Sequence, residues 1–182
     1  MVGRIDFDLS KTYLNGRILD IGGGGEGVVG QLKGAQVVAI DLRASELEEA
    51  GEGEYLKIIM DAKELKFLDE YFDTVTAFFS LMYVPVSDHE KVFQEIYRVL
   101  KKGGEFVIWD LRIPKKSDKT KNFYGITLSI DIGSKEISTG YAIRWDKEQS
   151  NDLFVNLGQE IGFTIKEHQE DEHIFYIRFE KV

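Results

Sequence analysis

The chain has 182 residues, 43% hydrophobic and 30% charged, with two prolines and no cysteine. That composition belongs to a globular protein and excludes a disordered tail, a collagen-like repeat, a disulfide framework and any thiolate metal site. Lysine and arginine number 23 against 32 acids, a formal charge of −9 that repels nucleic acid and anionic membrane at long range.

In chain order, the first clear element is Arg17 to Ile21, a short apolar run stopped by the glycines Gly22 to Gly25. It predicts a buried parallel strand turning sharply into a helix over about Glu26 to Leu32, ended by Gly34. Gln36 to Asp41 repeats an apolar run closed by an acid, which completes a βαβ unit. Tyr55 to Asp61 and Phe72 to Phe79 read as two further interior strands. Ser87 and Glu90 have capping-box spacing, and Val92, Phe93, Ile96, Tyr97, Val99 and Leu100 recur at helical period before Gly103 and Gly104 end the helix. Gly104 to Leu111 is a fifth strand. Alternating β and α elements imply a parallel sheet with helices on both faces.

Two later segments differ. From Phe123 to Trp145 apolar residues fall on every second position across Gly133, a β-hairpin with one apolar face. Asp146 to Ile161 reads as a helix closed by Gly162, and Phe163 to Glu167 with Ile174 to Phe179 as a terminal antiparallel pair. No domain boundary is visible, so 1–182 reads as a single α/β domain. The segment 112–145 is an insertion in it, either a lid or a dimer hairpin.

Chemistry concentrates at Asp20 and Gly22, Gly23 and Gly24, followed by Asp41 at the tip of the next strand. Glycines at a strand-to-helix turn let a ligand approach the backbone, and a carboxylate at the second strand tip accepts hydrogen bonds from both ribose hydroxyls. The pattern Gly22-x-Gly24-x-x-Gly27 with an acid at 41 also satisfies the dinucleotide fingerprint. Asp20, however, lies where it would oppose a pyrophosphate and favour a cationic ligand. S-adenosylmethionine carries an ammonium, a sulfonium and a ribose, and no phosphate.

From Arg17 to Leu111 the sequence resembles the class I S-adenosylmethionine-dependent methyltransferases, in particular the small-molecule group similar to the quinone-biosynthesis C-methyltransferases. Arg17 to Gly25 resembles the family's glycine motif, Val38 to Asp41 its ribose-binding acid, and Asp61-Ala62 its adenine-contacting pair. Phe72 to Val84 resembles the strand beside the cofactor, and Tyr97 to Gly104 the helix and turn before the fifth strand. The resemblance implies a Rossmann-like seven-stranded sheet, mostly parallel with a C-terminal antiparallel hairpin. It implies S-adenosyl-L-methionine as cofactor, held by Asp20, Gly22, Gly23, Gly24, Asp41, Leu42, Asp61, Ala62, Phe78 and Phe79. There are departures: Glu26 stands where the family has a third glycine, Lys102 replaces a common proline, and only 16 residues precede Arg17. The hairpin from Phe123 to Trp145 is then the best candidate for a substrate lid.

Methyl transfer is an in-line displacement in which alignment and desolvation dominate, and a base is needed only for a protonated nucleophile. Tyr83, His89 and Asp110 are candidates, each with a plainer expectation: Tyr83 packed under its loop, His89 exposed in a first helical turn, Asp110 solvated. No catalytic residue is assigned. The three histidines lack ligand spacing, so no metal is expected. The expected activity is methylation of a small-molecule acceptor by a cytoplasmic protein, monomer or homodimer, without nucleic-acid or membrane partners. The alternatives are an NAD-dependent oxidoreductase and a non-catalytic adenosyl-cofactor-binding protein.

Overall fold

The structure is a computed structural model that describes residues 3–182. Ten strands are formed: β1 (Arg4–Asp8), β2 (Ile18–Ile21), β3 (Val37–Asp41), β4 (Leu56–Ile59), β5 (Phe72–Phe78), β6 (Leu100–Leu111), β7 (Phe123–Asp131), β8 (Glu136–Arg144), β9 (Phe163–Glu170) and β10 (Ile174–Lys181). Four α-helices accompany them: α1 (Val28–Lys33), α2 (Ala44–Glu49), α3 (His89–Val99) and α4 (Asn151–Ile161).

Seven strands form the main sheet in the order β4-β3-β2-β5-β6-β10-β9. Pairing is parallel from β4 to β6, and β10 runs antiparallel to both β6 and β9. The chain starts in the middle with β2, steps outward to β4, then returns to β5 on the other side. The strand order therefore reverses between β2 and β5, the place where open α/β sheets bind ligands. This is the Rossmann-like arrangement expected from the sequence.

One face of the sheet is covered by α3 and α4, whose Val92, Phe93, Ile96 and Phe154 pack on Val75, Phe106, Ile108 and Ile177. The other face is shared by α1, through Val28 and Val29, and a second sheet of order β1-β7-β8. Ile126, Leu128 and Ile130 of β7 are fully buried there with Phe78, Val107 and Trp109. Each such side chain contributes roughly 1.5–3 kcal/mol relative to exposure. The apolar face of the hairpin is thus covered within the chain.

Several local expectations are corrected. Residues 4–8, assigned no element from the sequence, form a strand parallel to β7; the alternation of Ile5 and Phe7 between charges at 4, 6 and 8 is the period-2 signal for it. Strand β4 is an edge and not an interior strand, with Leu56 and Ile59 more than half exposed. Residues 60–71 form turns and no helix; Leu65 is buried and Met60, Ala62 and Phe67 pack against the core on the α3 side. The capping box does not form: a 3-10 turn over Val86–Asp88 precedes α3, and Ser87 Oγ donates to Asp88 Oδ1 (3.3 Å) instead of capping the helix. α3 ends at Val99, and Gly103, at φ +73°, serves a register shift early in β6. α4 starts only at Asn151, because Gln149 is drawn into an antiparallel bridge with Ile113.

Candidate functional site

The parallel strands β2, β3 and β5 end together on one edge, and the residues between β2 and α1 wrap over it. Gly22 takes φ +68°, a left-handed conformation that costs a side-chain-bearing residue. A Cβ there would also lie 2.5 Å from Ser80 Cβ. Ser80 uses that space to donate from Oγ to Ile21 O (2.6 Å), which ties the end of β5 to the turn. Gly23 N donates to Ile40 O and Gly25 N to Glu46 O, both at 2.9 Å, so the turn is anchored on β3 and α2.

Asp20 lies beneath this turn, 2% exposed, and Thr76 Oγ1 donates to its Oδ1 at 2.7 Å. Burial pushes its carboxyl up to about 7; the Thr76 hydroxyl opposes this, and the Asp41 charge adds to it. Asp41 accepts at Oδ1 from Arg43 N (2.9 Å) and is only partly buried. Its neighbour Leu42 is 68% exposed, an apolar side chain without cover beside a carboxylate. At the end of β4, Asp61 accepts at Oδ1 from Lys63 N (2.9 Å), while Ala62 packs on the α3 side of the sheet.

Phe78 and Phe79 are both buried in the layer between the two sheets, against Phe7, Trp109 and Tyr141. Phe79 sits at φ +49°, rare for a bulky residue, and its N–H donates to Trp109 O at 2.7 Å. The structure therefore gathers Asp20, Gly22, Gly23, Gly24, Asp41 and Leu42 around one turn, sets Asp61 and Ala62 at the adjacent strand end, and gives the two phenylalanine rings apolar partners.

The three candidate bases stand differently from expectation. His89 is buried and not exposed: Nε2 donates to Leu81 O (3.2 Å), the ring packs on Phe154, and Nδ1 has no partner among the described residues. Burial lowers its pKa and favours the neutral ring. Asp110 is also buried rather than solvated. It accepts from Leu111 N (2.7 Å) and Gln149 Nε2 (3.0 Å) at Oδ1 and from Met82 N (3.2 Å) at Oδ2, and burial pushes it up to about 7. Tyr83 is half exposed instead of packed under its loop, its hydroxyl donating to Ala142 O at 3.2 Å. The first two act as struts of the fold.

Glu26 was passed over as a binding residue. It accepts hydrogen bonds from the hydroxyls of Thr139 and Tyr141 on β8. The inward alternation of β8 was legible in the sequence, but a pairing across 115 residues carries no local signal.

A family model described as a methyltransferase domain matches residues 19–108. The chain is 31% identical over 157 residues to the ubiquinone/menaquinone biosynthesis C-methyltransferase UbiE of Pectobacterium carotovorum subsp. carotovorum, covering 78% of this chain and 62% of that protein. It is 35% identical over 124 residues to the sterol 4-C-methyltransferase strm-1 of Caenorhabditis elegans, covering 63% of this chain and 36% of that protein. It thus spans less than two thirds of the length of either curated relative. In fold it is similar to a crystal structure of an S-adenosylmethionine-dependent methyltransferase from Methanosarcina mazei, with a TM-score of 0.67 at 18% identity over 93% of this chain and 95% of that one. The matched residues 19–108 run from the first acid to the fifth strand of the parallel sheet, the same stretch whose turns converge on Asp20 and Asp41. Over this stretch the chain carries a methyltransferase domain, similar to the class I S-adenosylmethionine-dependent methyltransferases.

Proposed function

We propose that this protein binds S-adenosyl-L-methionine at the turn after β2 and methylates a small-molecule acceptor. One observation carries the reading: three carboxylates, Asp20, Glu26 and Asp41, surround a glycine turn, and the partners of all three are neutral hydroxyls or a backbone N–H. Such a set of anionic acceptors suits a cationic nucleoside and opposes a pyrophosphate, which counts against NAD.

When bound, S-adenosylmethionine supplies an electrophilic methyl group on a sulfonium. The chain's part is to hold and align. Asp41 would accept from the ribose hydroxyls, Leu42, Asp61 and Ala62 would hold the base, and Asp20, below Gly22, Gly23 and Gly24, would supply negative charge toward the cationic end of the ligand. Phe78 and Phe79 form the dry wall at the end of β5, where water exclusion strengthens every charge interaction.

A small acceptor, in preference to nucleic acid, agrees with the net charge of −9 and with the UbiE and strm-1 relatives. No helix among the described residues is long and apolar enough to cross a membrane, in keeping with a cytoplasmic enzyme. The fold asks for no second copy to cover the hairpin.

Isothermal titration of the purified protein with S-adenosylhomocysteine and, separately, with NAD tests this. Saturable binding of the first alone is expected; binding of NAD alone overturns the reading.

A further inference from the structure

Strand β8 runs along the free edge of the second sheet and is fastened to the main domain at three places. Tyr141 stacks on Phe79, at the end of β5. The hydroxyls of Thr139 and Tyr141 both donate to Glu26, which stands inside the glycine turn itself. Further along, Tyr83 donates to Ala142 O, and Lys147 Nζ donates to Met82 O at 2.5 Å. The Phe79, Tyr83 and Met82 contacts all join the hairpin, or the residues just after it, to the segment following β5. Among the described residues, Glu26 is the one whose side chain hydrogen-bonds the hairpin to the turn between β2 and α1.

The chemistry of the Glu26 attachment differs from the others. Its carboxylate accepts hydrogen bonds from two hydroxyls, and hydrogen bonds to a charged acceptor are about twice as strong as neutral ones. Burial raises the pKa of Tyr141, and the Glu26 charge beside it adds to that, so Tyr141 remains a donor at every physiological pH. The bond is reversible, local and placed where the two halves of the site meet.

Resting on the function proposed above, we propose that Glu26 is a positioning residue: it latches β8 over the glycine turn and thereby sets Tyr141 as the roof of the methyl-transfer site. The insertion is then a lid of this chain and not a dimer contact. Opening for acceptor and product exchange breaks the Glu26 bonds while Tyr83 and Lys147 keep the far end of the hairpin attached. Thr139 and Tyr141 are needed together, because each occupies one carboxylate oxygen.

Hydrogen exchange followed by mass spectrometry on peptides covering 136–144 tests the latch without any ligand. In Glu26→Gln and in Tyr141→Phe, exchange across β8 should be about tenfold faster than in wild type, with that of α3 unchanged. Tyr141→Phe keeps the ring on Phe79 and removes only the hydroxyl, so it serves if Glu26→Gln folds poorly. With S-adenosylhomocysteine present, wild-type β8 should gain further protection, and Glu26→Gln should gain at most a small part of it. Unchanged β8 exchange in either folded variant overturns the latch. A wild-type protein that binds no S-adenosylhomocysteine overturns the cofactor reading instead, and the ligand-free exchange result still decides the latch.

Discussion

The rings of Phe79 and Tyr141 lie face to face, centroids 4.9 Å apart and planes within 2° of parallel, although one directly follows strand β5 of the main sheet and the other belongs to the inserted hairpin. The contact joins the two sheets directly beside the glycine turn. It also holds Phe79 at φ +49°, a conformation that surrounding packing must stabilise against a cost of order 1–3 kcal/mol.

Phe79→Ala should therefore cost about 3–5 kcal/mol in urea unfolding, as other fully buried aromatics do. A double-mutant cycle with Tyr141→Leu should give a coupling of about 0.5–1.5 kcal/mol. Additive effects would mean that the two rings do not support one another.

Gly24→Ala should abolish cofactor binding with only a modest loss of stability. A Cβ at that position would lie 2.5 Å from Glu46 Cβ and 2.9 Å from Asp41 Oδ2, so it must push α2 away or displace the acid proposed to bind the ribose. Asp41→Ala removes the acid without adding bulk. Its own side-chain bond is local, to Arg43 N, so thermal stability should hold while S-adenosylhomocysteine affinity falls about a hundredfold by titration calorimetry, the loss expected for two bonds to a charged group.

Asp20 and Asp110 make stability depend on pH. Both carboxyls are pushed up to about 7 from an ordinary value of 3.8, chiefly by burial. Between pH 4 and pH 7 the unfolded chain has lost these protons and the folded chain keeps them. The stability that they contribute is thus complete below about pH 4 and is lost as pH rises through 7, at up to about 1.4 kcal/mol per pH unit for each group. In urea titrations Asp110→Asn should flatten the decline between pH 5 and pH 8. It should also be less stable than wild type at pH 5, because one amide donor then faces Met82 N.

Cofactor binding should show the opposite trend. A cationic ligand above Asp20 favours its ionised form, so affinity for S-adenosylhomocysteine should rise from pH 6 to pH 8 with proton release. Calorimetry in buffers of different ionisation enthalpy measures that release directly. Affinity that falls over this range would place no cation near Asp20.

Phe7→Ala should cost about 2–3 kcal/mol, because β1 places this ring against Phe78 and Phe79. The accompanying loosening of β7, its parallel partner, would appear as faster amide exchange over 123–131.

The sequence by itself determined the alternation of strands and helices, the glycine turn, Asp20 and Asp41 at their strand ends, the antiparallel finish and the inward face of the hairpin. All of these are written in local signals: apolar runs, small residues at one turn, and alternation with period two. What it could not fix depends on distant groups. The burial of His89 and Asp110 follows from α4 and Gln149 folding over them. The edge position of β4 follows from which strands pair in the sheet, and the partnership of Glu26 with Thr139 and Tyr141 from a hairpin returning more than a hundred residues later. Only tertiary structure decides these, because burial and pairing are properties of whichever surfaces the folded chain brings together, and no short window of sequence contains both partners.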